Sequence, residues 1–202
     1  MQLDFPRWHV GFFGSSGTGK TSAALRLVCG HASRCVFIFD PEGEFSKRLK
    51  LPAVSTIPDL VAAVNSGWVL FDPHGQFPGN LEGGLSFFAE WALAICDKLA
   101  GSKFFVVDEL DQYMSGNKLP APVKTIAQTG RRYGVNCVWI APAPNRLHNS
   151  ILNQITDVVC FRLETAQALD WPAERGFDPG QIRALANWRW ICRDNCGRES
   201  RG

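Results

Sequence analysis

Gly14-Ser15-Ser16-Gly17-Thr18-Gly19-Lys20-Thr21 follows the apolar run His9–Phe13 and opens an amphipathic stretch, Lys20–Cys29. The spacing is G-x-x-x-x-G-K-[ST] between a strand and a helix, an arrangement with a physical reading. Glycines let successive backbone N–H groups turn inward around a β-phosphate, and the start of the following helix adds its positive end. Lys20 neutralises β and γ oxygens, and Thr21 offers a hydroxyl to Mg2+. Gly14, Ser15, Ser16, Gly17, Thr18, Gly19, Lys20, Thr21 and Ser22 are therefore the expected nucleotide-binding residues. The chain carries no guanine-reading N-K-x-D motif, which points to ATP.

Outward from this loop, short apolar runs alternate with amphipathic segments, the signature of a parallel sheet covered by helices. Strands are expected at His9–Phe13, Cys35–Phe39, Trp68–Phe71, 104–107, 136–141, 158–161 and 188–192. Helices are expected at Lys20–Cys29, 58–65, 82–100, 122–133, 150–154, Ala166–Glu174 and 179–186. The expected fold class is α/β, a P-loop NTPase core with a mainly parallel twisted sheet flanked by helices. At 202 residues, one such domain fills the chain. Its core is expected over about 8–163, with 164–202 a C-terminal extension ending in a flexible, Arg-rich tail.

The second chemistry-bearing run is Phe104-Phe105-Val106-Val107-Asp108-Glu109, four apolar residues followed by two carboxylates. This is the Walker B pattern of ATPases. Asp108 is expected in the Mg2+ shell with Thr21, and Glu109 is expected to take a proton from the attacking water. Lys20 and Glu109 are thus the expected catalytic residues within the chain. Asp111 lies beyond the strand end and is expected on the loop surface.

Composition narrows the class. Hydrophobic residues make up 46% and charged residues 20%, so the chain is globular rather than disordered. Its longest apolar runs fall far short of the roughly 20 residues a bilayer span needs. The N-terminal MQLDFPRWHV has an acid and a proline where a signal peptide needs a basic segment and an apolar stretch, so a cytoplasmic location is expected. The seven cysteines are an odd number, and Cys35, Cys137, Cys160 and Cys192 fall inside strand-like runs, which makes them reduced core thiols. Cys192 and Cys196 are spaced like metal ligands but have no second pair nearby. Net charge is +2, too small to mark a nucleic-acid binder, although the excess is C-terminal and carried by Arg183, Arg189, Arg193, Arg198 and Arg201.

Two further features are less decisive. IFDPEGEF (38–45) and LFDPHGQF (70–77) echo each other and put Asp40 and Asp72 at strand ends, where open α/β sheets gather ligands and where Asp-Pro also makes ordinary turns. Gly130-Arg131-Arg132-Tyr133-Gly134 places an arginine pair at a helix end before a strand, favourable to the helix dipole in any case. Arg131 or Arg132 could also reach the γ-phosphate of a neighbouring subunit as a trans arginine finger.

The order of these motifs resembles the HerA-FtsK superfamily of nucleic-acid pumps: the phosphate loop, the strand ending Asp-Pro-x-Gly-Glu, the Asp108-Glu109 strand, G-R-R-Y-G-V, then Ser150-Ile151-Leu152-Asn153-Gln154 and a strand ending F-R-L. The resemblance covers about 10–163 and implies a RecA-like core that assembles into a homo-oligomeric ring, usually a hexamer, and translocates double-stranded DNA using ATP. Members commonly carry Gln-Arg-Pro after the last core strand, the Gln sensing the γ-phosphate. Here Pro142 falls on the Gln position and Ala143 on the Arg, and proline has no side-chain donor.

A bare core of this length looks like the genome-packaging ATPases of membrane-containing, double-jelly-roll DNA viruses. That resemblance implies an ATP hydrolase that drives DNA into a preformed capsid, with capsid vertex proteins as partners, in the host-cell cytoplasm or at the packaging vertex of the virion. Two alternatives are a filamentous-phage type assembly or export ATPase, related to zonula occludens toxin, and a nucleotide-gated assembly switch with poor turnover. A small-molecule kinase fits less well, because it needs a lid of clustered arginines. Loops 112–118, with Lys118, and 145–149, with Arg146 and His148, are candidate DNA contacts. Lys47-Arg48-Leu49-Lys50 reads as a solvated helix face, and the tryptophans near the C-terminus, Trp171, Trp188 and Trp190, read as core or subunit interface.

Overall fold

The computed structural model describes residues 9–114 and 118–202. Its first strand, β1 (His9–Phe13), is buried along its whole length, which is what a strand covered by helices on both faces requires. In chain order there follow α1 (Lys20–Cys29), β2 (Cys35–Phe39), α2 (Glu44–Leu49), α3 (Ile57–Val64), β3 (Trp68–Phe71), α4 (Leu81–Cys96) and β4 (Lys103–Val107). Next are α5 (Ala121–Thr129), β5 (Val135–Ala141), α6 (Asn149–Leu152), β6 (Asp157–Cys160), α7 (Ala166–Glu174), α8 (Pro179–Arg183), β7 (Ile191–Arg193) and β8 (Glu199–Arg201).

The strands form one sheet in the order β3-β2-β4-β5-β1-β6-β7-β8. Pairing is parallel from β3 through β6 and antiparallel from β6 to β8. Because side chains alternate across a strand, each strand feeds two cores. Phe37, Phe39, Phe105, Val107 and Trp139 face α4 and α5, whereas Val36, Ile38, Phe104, Val106 and Val138 face α1. Both layers are tightly closed: Trp139, Phe37 and Phe105 on one side and Phe104 and Val106 on the other are fully buried.

Register sets the site. Phe13 pairs with Ala141, and Val107 pairs with Trp139, so β1 and β4, on either side of β5, end within two residues of one another. The loop leaving β1 and the carboxylates leaving β4 therefore emerge at one edge of the sheet, about 10 Å apart across two strand spacings.

Several boundaries differ from the sequence expectation. The helix expected over 82–100 ends at Cys96, where Lys103 donates to the carbonyls of Cys96, at 3.1 Å, and Leu99. The helix expected over 122–133 stops at Thr129, and its last turn tightens into a 3-10 turn, Gly130–Tyr133. Residues 44–49 form a helix that the sequence reading left out as an element. The strand expected over 188–192 begins only at Ile191, because Trp188 has a φ of 68° and turns away from the sheet. The end expected to be flexible instead pairs as β8, with Arg201 bonded to Glu199 at 2.7 Å. No helix among the described residues is long and apolar enough to cross a membrane.

Candidate nucleotide site

The loop between β1 and α1 is shaped by its glycines. Gly17 and Gly19 hold φ of 74° and 103°, values that side chains rarely adopt. A side chain at Gly14 would strike Phe161 at 2.5 Å, so the loop can lie directly on the end of β6. Ser15 N donates to Arg162 O at 2.9 Å, and Thr18 Oγ1 donates to Ser15 O at 2.7 Å. No side chain caps α1 at Gly19, which leaves the first N–H groups of a ten-residue helix aimed at the loop's hollow.

Lys20 and Thr21 are the first residues of α1 and project toward β4. Lys20 is buried and donates to Ser15 O at 3.1 Å. Burial holds its ammonium below the usual lysine range, while Asp108, Glu109, Glu44 and Asp111 pull the other way. Thr21 Oγ1 donates to Asp108 Oδ2 at 2.6 Å, a contact spanning 87 positions of chain. The other Asp108 oxygen accepts the Glu109 N–H at 2.9 Å. Burial raises the Asp108 carboxyl to about 6, with Glu109 and Glu44 adding to the rise and Thr21 and Lys20 opposing it.

Glu109 is exposed and sits at φ 49°, ψ 43°, a left-handed conformation uncommon for a residue with a side chain. The backbone then enters a 3-10 turn, Leu110–Tyr113, in which Gln112 Nε2 donates to Glu109 Oε2. Asp111 is not the loop-surface residue expected. It is half-buried, burial raises its carboxyl, and its Oδ1 is sealed from solvent without a hydrogen-bond partner among the described residues.

These groups line a cleft of about 320 Å³. The expected residues Ser16, Gly17, Gly19, Lys20, Thr21 and Ser22 form part of its wall, with Asp108 and Glu109. Two residues there were missed by sequence reasoning. Arg48, read as a solvated helix face, pairs with Glu44 at 2.6 Å and donates to Ser22 Oγ at 2.7 Å, bringing a guanidinium to the start of α1. The Glu44-to-Arg48 spacing directly after a strand-end Asp-Pro turn was the available signal. Trp188, read as core or interface, is not a core residue: it is 57% exposed and walls the cleft beside Gly19.

The echoed aspartates separate. Asp40 is buried and accepts Phe45 N–H at 3.0 Å and Ser46 N–H at 2.8 Å, fixing the start of α2 and forming cleft wall. The Asp72 carboxylate instead serves its own turn, accepting His74 N–H at 3.0 Å and lying 2.8 Å from His74 Nδ1.

Arg131 and Arg132 are not brought to this cleft. They occupy the 3-10 turn before β5, at the edge of the sheet opposite the phosphate loop, with Arg131 donating to Gln154 O at 3.2 Å. Of the candidate DNA loops, His148 caps α6 by accepting Ser150 N–H at 3.0 Å, Arg146 is exposed near Asp111, and Lys118 is exposed. Residues 115–117 of the first loop lie outside the described residues. Cys35, Cys137, Cys160 and Cys192 are buried free thiols, as expected.

Thr21 and Asp108 supply a hydroxyl and a carboxylate oxygen side by side, hard oxygen donors of the kind Mg2+ takes. Mg2+ is commonly held by one or two such groups together with substrate phosphates, so this donor set fits it.

No protein-family model matches the chain, and no curated protein matches it. Solved structures do. The genome packaging NTPase B204 from Sulfolobus turreted icosahedral virus 2, in complex with AMP, is similar at a TM-score of 0.73 and 15% identity, covering 98% of this chain and 98% of that one. The same NTPase has been solved with AMPPCP and with ATP-gammaS. B204, the DNA-packaging ATPase from Sulfolobus Turreted Icosahedral Virus, is similar at 0.66 and 17% identity over 97% of both chains. The conjugation coupling protein TcpA of pCW3, in a monomer form with ATPgS, is similar at 0.59 and 13% identity, covering 96% of this chain and 59% of that one. The likeness establishes the fold as that of a P-loop NTPase.

Proposed function

We propose that the chain is a Mg2+-dependent ATPase that packages a viral genome, working as a ring of identical subunits on double-stranded DNA. The observation that carries the ATPase reading is the 2.6 Å contact between Thr21 and Asp108, which joins the phosphate loop to the carboxylate strand at the mouth of the cleft. The packaging reading is supported by the motif order and by fold similarity to B204 over 98% of both chains.

In this reading the N–H groups of residues 14–19 and the start of α1 cradle the β-phosphate. Lys20 leaves the Ser15 carbonyl for the β and γ oxygens, where its charge is compensated. Thr21 and Asp108 would hold Mg2+, whose charge would offset that of the phosphates. Glu109 accepts the proton of the water whose oxygen attacks the γ-phosphorus as the bond to the ADP oxygen breaks, leaving ADP and inorganic phosphate. Gln112, bonded to Glu109, holds the carboxylate's orientation. Arg48 sits at Ser22, where it can meet an α-phosphate.

The test is steady-state ATP turnover with and without linear double-stranded DNA, beside Glu109→Gln. DNA-stimulated turnover is expected, with the variant binding ATP normally and turning over about 100- to 10,000-fold more slowly. A variant as active as the wild type would remove Glu109 from the chemistry. A second reading, a nucleotide-gated assembly switch, is favoured by one observation: Pro142 offers no donor at the position where related pumps place the Gln sensor. Tight ATP binding without turnover, with or without DNA, would select it.

A further inference from the structure

Trp188 combines three unusual features. It is a large aromatic side chain left 57% exposed, its backbone is held at φ 68°, and it stands in the cleft wall. Neither a core residue nor a connecting turn needs that combination, since a left-handed turn is easily made by Gly or Asn and an exposed turn by a polar residue.

The surroundings show what fixes it. Trp188 N–H donates to Thr18 O at 3.0 Å, so the residue is bonded to the phosphate loop itself. Two positions on, Trp190 and Gly202 exchange backbone hydrogen bonds of 3.0 and 3.1 Å, anchoring the strand side of the turn to the end of β8. The benzene ring of the indole abuts Gly19: a Cβ at that glycine would lie 2.6 Å from Trp188 Cε3 and 3.1 Å from Cζ3. Gly19 thus has two demands on it, a φ of 103° and room for the indole.

We propose that Trp188 is the base platform of the nucleotide site, on which the purine ring of the bound nucleotide stacks. The inference rests on the nucleotide reading of loop 14–19 given above. A nucleotide whose β-phosphate occupies that loop leads its ribose and base out along the cleft wall. There the exposed indole offers a rigid apolar surface beside the cradle. Stacking recognises the π-face of a base rather than its hydrogen-bonding edge, so it supplies affinity for the nucleoside end without selecting among edges. The phosphate end is held independently by Lys20, Thr21 and the loop N–H groups.

That division of labour makes the test. Binding of Mg-ATP and of Mg-tripolyphosphate, which has the phosphates and no base, is measured by calorimetry on the full chain, its Trp188→Ala variant and its Trp188→Phe variant. Trp188→Ala is expected to weaken ATP about ten-fold or more and to leave tripolyphosphate unchanged, with Trp188→Phe restoring most of the loss. ATP binding unchanged in Trp188→Ala overturns the proposal while leaving the phosphate site intact. Equal losses for both ligands also overturn it, because the indole would then only prop the loop through Gly19. If the wild-type chain binds neither ligand, the nucleotide reading itself fails and the platform falls with it.

Discussion

His9 shows how a single buried side chain ties stability to pH. It starts β1 with no exposed surface, and its Nδ1 accepts the Cys137 N–H at 3.1 Å, which places the neutral ring's proton on Nε2. Burial first, then the Arg131 guanidinium, push it down to about 4, with the Ala127 carbonyl opposing. Its folded pKa lies below the unfolded value of about 6.5, so the unfolded chain binds the proton first. The stabilisation from a neutral His9 is complete above pH 6.5 and is lost as pH falls toward 4. By pH 5 the loss is about 2 kcal/mol. Urea unfolding at pH 7.5 and pH 5 is expected to show it in the wild type and not in His9→Gln, where the amide oxygen can still accept from Cys137. Asp108, raised in the folded chain, has the opposite slope between about 4 and 6, so the difference between the two proteins isolates His9. Equal pH dependence in both would remove His9 as the cause.

At the scale of elements, α2 is the piece whose position depends on one residue. Six residues are too few to hold a helix in isolation. The two N–H bonds to Asp40 and the burial of Phe45 hold it, and it in turn presents Arg48 to Ser22. Asp40→Ala is expected to cost about 1–2 kcal/mol, as loss of a helix-start acceptor does. It should also weaken ATP binding several-fold by releasing Arg48, read together by thermal melts and calorimetry. Lost stability with unchanged affinity would detach α2 from the site. This dependence also explains what was legible beforehand. β1, β2 and β3 stand where the apolar runs put them, because strands buried on both faces write themselves as continuous apolar sequence. The phosphate loop and the Asp108-Glu109 pair are equally local in spacing. Arg48 and Trp188 were not legible as cleft residues because their positions are set by distant partners, Ser22 and Gly19. An aromatic before Ile191 suits a strand as well as a turn until the contact with the loop decides it. Asp111 hid for the same reason, since its burial comes from packing and not from its neighbours in sequence.

At the scale of the molecule, sheet direction divides the functional residues between two ends. Every strand from β3 to β6 is parallel, so everything following a strand lies at one edge and everything preceding a strand at the other. Loop 14–19, Asp108 and Glu109 follow strands, whereas Arg131 and Arg132 precede β5. The five residues of β1 alone separate the edges by about 13 Å, before loops are added. A guanidinium anchored at Gln154 cannot cross that distance to its own cleft, so a catalytic role for this pair requires a second copy of the chain. Mixing two inactive proteins tests that requirement. Glu109→Gln keeps its arginines and lacks the base, and an Arg131→Ala/Arg132→Ala chain keeps the base and lacks the arginines. If an arginine acts in trans, an equimolar mixture regains turnover at each boundary where an intact cleft meets an intact arginine pair. Random assembly makes that about a quarter of all boundaries. The recovered rate should rise from either pure protein to a maximum near equal proportions. A mixture that stays at the level of its components while both parents still assemble would mean that the pair acts only at its helix end, favourable to the dipole and without part in the chemistry.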